Sequence, residues 1–172
     1  MKLKTVLALL LIIIGVASRL LPHEPNFVPI GAIALFAGAI LNWRLALWLP
    51  ISMMAITDFF IGFYPGMIFT WVGFMLISVF GMSLRNAPLR FRISAGPLGA
   101  GVIFFIVSNF GVWVMGGLYP PTLQGLINCY YMAIPFFKTS LLADITYSVA
   151  LFGLYEVSLQ SAKRWLKLKV NA

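Results

Sequence analysis

Charge is scarce in this sequence and negative charge scarcest: 9% of the 172 residues are charged, with four carboxylates against twelve lysines and arginines. Soluble domains carry roughly 25% charged residues. A content of 62% hydrophobic residues and a mean hydropathy of +1.00 therefore point to a bilayer as the solvent. The single cysteine, Cys129, excludes an internal disulfide and any multi-cysteine zinc site, and the single histidine, His23, cannot hold zinc alone. Cys129 reads as a small packing residue in an apolar segment. No G-x-x-x-x-G-K-[ST] loop and no H-E-x-x-H helix is present, which removes nucleotide binding and zinc hydrolysis by those routes. The net charge of +8 is not gathered into a patch interleaved with aromatics, so nucleic acid is not an expected partner.

What remains is apolar runs and their punctuation. Runs fall at roughly 4–21, 29–42, 44–63, 65–84, 93–116 and 138–160, separated by "PHEP", "YPG" and "GGLYPP". Proline and glycine break helices there, through a missing donor or backbone freedom. A span takes about 20 residues, so the length accommodates about six and leaves no room for a soluble domain. The expected fold is all-α, a single transmembrane domain over 1–172. The stretch Thr122–Phe137 is too short and interrupted to span and is expected as a separate re-entrant or interfacial segment.

Basic residues flanking spans stay cytoplasmic. With six spans and both termini inside, the inner side holds Lys2, Lys4, Arg44, Arg85, Arg90, Arg92, Lys163, Arg164, Lys167 and Lys169, and the outer side Arg19 and Lys138. "MKLKTVLALLLIIIGVAS" also has the layout of a signal peptide, but is read as a retained first span; cleavage would leave the orientation of the rest unchanged.

A charge at the bilayer centre costs about 2.5–3.5 kcal/mol, so each asks for a reason. On this topology Arg19, Asp58, Asn109 and Asp144, from four helices, fall in one layer below the outer surface, whereas Glu156 lies near the inner end and reads as interfacial. Ser140, Asp144, Tyr147, Ser148 and Tyr155 recur at helical spacing and mark a polar face that should point inward. Asp144 pairing with Arg19 or Lys138 would fasten helices; lining a cavity is the alternative, and the two can coexist. The outer loops add Glu24, Asn26, Trp113 and Tyr130, and a recess with aromatic walls and a few convergent polar groups is the usual form of a small-molecule site. In the expected site, Arg19, Glu24 and Asn26 form one wall beneath a lid loop, Asp58, Asn109, Asp144 and Tyr147 the polar floor, and Trp113 and Tyr130 stack on the ligand. No catalytic residue, metal or cofactor is expected. Small residues at Gly31, Ala34 and Gly38, and at Ala95 and Gly99, allow close helix approach within the chain or to a partner.

The segments "RLLPHEPNFVPIGAIALFAGA", "SNFGVWVMGGLYPPTLQGLINCYYMAIPFF" and "LLADITYSVALFGLYE" resemble a small uncharacterised family of putative bacterial transport proteins, itself similar to the substrate-binding S components of energy-coupling factor (ECF) vitamin transporters. The resemblance implies a six-helix protein of the bacterial plasma membrane that captures a vitamin or similar micronutrient outside the cell. It also implies a transmembrane T subunit with two ATPases as partner. S components commonly dock through small residues on the first helix; here those residues lie on the second run. A structural or assembly subunit of a membrane complex is the alternative from a different class, and an intramembrane enzyme a more distant one.

Overall fold

The computed structural model describes residues 2–170, with side chains from 3 to 165, and among these residues every regular element is a helix. The helices are α1 (Lys2–Leu20), α2 (Ile30–Ile40), α3 (Trp43–Ile61), α4 (Met67–Ser83), α5 (Leu89–Ile93), α6 (Ala95–Met115) and α7 (Leu123–Val170). The stretches Leu3–Leu20, Trp43–Ile61, Leu89–Met115 and Leu123–Trp165 are long and apolar enough to cross a bilayer, while α2 and α4 are apolar but shorter. The side chains of Lys2, Lys167 and Lys169, part of the expected inner basic flank, lie outside the described residues.

The exterior is apolar and the interior holds polar groups. Leu9, Ile13, Phe59, Phe60, Leu142 and Leu154 are exposed, whereas Thr57, Asp58, Ser78, Asp144 and Ser148 are buried. Exposed apolar surface on this scale is a liability in water and the normal condition in lipid. The protein is an all-helical membrane bundle.

Its centre is α2. Eleven residues at 1.5 Å each make about 16 Å, half the roughly 30 Å of a hydrocarbon core. Ten of the eleven are buried, packed on α4, α7, α3 and α6. The small residues explain how: a Cβ at Gly38 would run into the Ser78 backbone, and one at Gly81 into Leu35 O. The close approach is therefore made within the chain, and α2 presents no docking face.

The ends of a helix leave backbone groups without intrahelical partners, and each one left unsatisfied away from water costs several kcal/mol. Other helices supply the partners. The cap residue Pro29 offers no side-chain acceptor; the Asp144 carboxylate of α7 lies against the first turn instead, beside Gly31. At the other end Arg85 donates to Gly38 O at 3.1 Å and Leu41 O at 2.9 Å, a cation on the negative end of the helix dipole. Midway, the Ser78 hydroxyl donates to Ala34 O at 3.0 Å. Arg92 does for α4 what Arg85 does for α2, donating to Leu84 O at 3.0 Å and to Arg85 O. Two of the basic residues expected at the inner surface thus act as helix caps.

One element departs from expectation. Thr122–Phe137 is not a separate re-entrant segment: from Leu123 on it forms the first turns of α7, which continues through Pro135 for 48 residues, about 72 Å. Proline removes one backbone bond and crowds the preceding turn. Antiparallel packing on α6 offsets this: Tyr130 Oη donates to Ile106 O at 2.7 Å, Cys129 Sγ to Asn109 O at 3.4 Å, and the rings of Phe105 and Phe137 lie 4.9 Å apart.

Candidate outer-face cavity

The end of α1, the start of α2, the end of α3 and the start of α4 meet at one level of the bundle. Arg19 closes α1, and one guanidinium nitrogen lies 2.6 Å from Asp58 Oδ1 and 2.5 Å from Thr57 Oγ1. Asp58 is fully buried, and its second oxygen accepts the Trp71 indole N–H at 2.7 Å. Thr57 donates back to Met53 O at 2.9 Å, as hydroxyls in apolar helices do. Arg19–Asp58 is the one ion pair among the described residues. It ties α1, α3 and α4 together and uses both charges.

Asp144 is therefore not the partner of Arg19, and Lys138 stands exposed with no ion pair to it. The Asp144 carboxylate is only 6% exposed and lies against the first turn of α2, where any side chain at Gly31 would collide with both of its oxygens. Glycine at 31 is what lets the carboxylate approach the first turn of α2. One turn further along α7, Ser148 is buried with its hydroxyl unpaired.

Two adjoining cavities open around Asp144. One, of about 280 Å³, lies between α6 and α7 and is lined by Asn26, Gly101, Phe104, Phe105, Ser108, Asn109, Ala133, Phe136, Phe137, Ser140 and Asp144. The other, of about 310 Å³, lies toward α1, α2 and α4 and is lined by Arg19, Asn26, Val28, Ile30, Gly31, Met54, Thr70, Phe74, Phe104, Ser108, Ser140 and Asp144. Asn26, Phe104, Ser108, Ser140 and Asp144 belong to both. The built-in asymmetry is that of small-molecule sites, aromatic walls with a few polar groups. Asn26 sits in the loop between α1 and α2 with φ 62°, a left-handed conformation that asparagine tolerates better than most residues.

The chain belongs to DUF6580, a family of unknown function, over residues 1–166. No curated protein and no solved structure matches the chain. In this DUF6580 member, four of the residues singled out from sequence, Arg19, Asn26, Asn109 and Asp144, line the two cavities. Asp58 stands behind Arg19, holding it. Tyr147 packs its ring 5.6 Å from Phe27, next to Asn26, and so braces the loop rather than the floor. Glu24 is exposed in that loop and lines neither cavity. Trp113 donates to Pro120 O at 3.0 Å and holds the α6–α7 loop, while Tyr130 pins α7 to α6 and faces an apolar groove with Phe69 and Ile106. The sequence reading passed over Thr57, Trp71, Thr70 and the phenylalanines of α6 and α7; aromatics in an apolar run carry no signal of which way they face. Among the described residues no group of three His, Cys, Asp or Glu side chains could hold a metal ion.

Proposed function

We propose that this protein is a transport protein of the bacterial plasma membrane, with six spans and both termini cytoplasmic. On this reading it captures a small solute, a vitamin or similar micronutrient, at its outer face for uptake. The resemblance to ECF S components supplies the mode: capture by this chain, and energy from a T subunit with ATPases. Capture and release need no covalent chemistry.

The observation that carries the reading is the pair of cavities meeting at the buried Asp144, where aromatic walls and several polar side chains converge. Together they offer the volume of a small organic molecule, and Asn26 places the α1–α2 loop at their edge. Arg19, Asn109, Ser108, Ser140 and Thr70 add donors and acceptors around aromatic walls.

The test is direct. Protein purified in detergent is denatured and the released small molecules are identified by mass spectrometry, alongside a Ser108→Phe variant that fills the space shared by both cavities. A compound stoichiometric with wild type and missing from folded Ser108→Phe protein is expected. A compound retained equally by the variant would place binding elsewhere. Wild-type protein that carries nothing and mediates no uptake would sink the reading.

A further inference from the structure

Which solute class the cavities take follows from what Arg19 and Asp144 have left to offer. Arg19 is held by Asp58 and Thr57, so its charge is already compensated and an anionic ligand would have to compete with a fully buried carboxylate. Asp144 is in the opposite position. It is 94% buried by its 6% exposure, no cation among the described residues lies within ion-pair distance, and it faces both cavities. The α2 N-terminus, against which the carboxylate lies, contributes about half a positive charge, too little to neutralise it. A buried, uncompensated carboxylate is costly unless it takes up a proton or pairs with a cation. The chain has twelve cations, and none whose side chain is described is placed there. The walls beside it are aromatic faces, Phe104 stacked on Phe74 at 4.5 Å and Phe105 close to Phe137, surfaces that attract a cation as well as a flat ring.

We infer, resting on the solute-capture reading, that the solute is an organic cation: a protonated amine or comparable cationic nitrogen carried on a flat aromatic body. The nitrogen pairs with Asp144, hydrogen-bonds to Ser140 or Ser108, and the body lies along Phe104. The pair Arg19–Asp58 stays closed and acts as a neutral wall.

The experiment uses three indoles of similar size, the cation tryptamine, the neutral 3-ethylindole and the anion indole-3-propionate. Binding to the full chain in detergent is measured by titration calorimetry for wild type, Asp144→Asn and Ser140→Lys. The lysine enters one turn from Asp144 on the same face and supplies the cation internally. Tryptamine is expected to bind wild type best and about tenfold or more weaker in both variants, with 3-ethylindole little changed in Asp144→Asn. Tighter binding of the anion than of the cation, or tryptamine binding undiminished in both variants, overturns the inference and leaves solute capture standing. The ranking in wild type decides even where a variant fails to fold. If none of the indoles binds, the compound released from wild type decides: a cation supports the inference and an anion or neutral compound overturns it. No released compound, no binding and no uptake by wild type removes solute capture itself.

Discussion

At the scale of single residues, the polar groups inside this bundle divide into those that are consumed and those that are left open. Arg19, Asp58, Thr57 and Trp71 are consumed, each by the others. Removing one member strands its partners: Asp58→Leu is expected to destabilise by about 3–5 kcal/mol, through the unpaired Arg19, and Trp71→Phe by a smaller ~1.5–3 kcal/mol. The readout is built in, because Cys129 is the only cysteine and is buried between α6 and α7, so a thiol-reactive dye reports unfolding in detergent. Ser148 offers the opposite case. Its hydroxyl is buried without a partner, so Ser148→Ala loses no bond and is expected to be neutral or slightly stabilising in the same assay. A marked loss would mean that the hydroxyl meets a partner in the membrane.

At the scale of elements, α2 shows what a helix shorter than the hydrocarbon core requires. The carboxylate at its N-terminus, its donors at the C-terminus and its close approach to α4 all come from elsewhere in the chain. A methyl at Gly38 meets the Ser78 backbone, which cannot give way, whereas one at Gly153 meets nothing within 4 Å. Gly38→Ala is expected to cost about 1–3 kcal/mol, and Gly153→Ala to be neutral or stabilise by up to about 1 kcal/mol. Equal effects would contradict the α2–α4 contact. Arg85→Met should lower the melting temperature as well, by leaving the Gly38 and Leu41 carbonyls without their donor. The existence of α2 was legible from its apolar run, and its small residues announced close packing. Its role as the buried centre was not, because composition does not say whether a small-residue face meets the same chain or another. The continuity of α7 was hidden for a related reason: Pro135 reads locally as a break, and the contacts of Tyr130 and Phe137 with α6 that carry the helix past it are distant in sequence.

At the scale of the whole molecule, the expected topology places both ends on one side. A fluorescent protein fused after the C-terminus should fluoresce and a periplasmic phosphatase fused there should be inactive; the reverse would place the C-terminus outside and overturn the expected topology. The same topology assigns Lys138 and the Asn26 loop to the outside. On that topology, the cavities around Asp144 belong to the outer half of the bundle, as the proposed capture of a solute requires.

Composition, the spacing of apolar runs and the placement of lysines and arginines determined the solvent, the helical class and most helix limits, because those properties are sums over local residues. They also picked out the carboxylates at 58 and 144, since charge in an apolar run is conspicuous without any structure. Only the tertiary structure decided what each does. Whether a carboxylate is neutralised depends on which helix brings a cation within a few ångströms: Arg19 reached Asp58, and Asp144 was left with a helix N-terminus and two cavities.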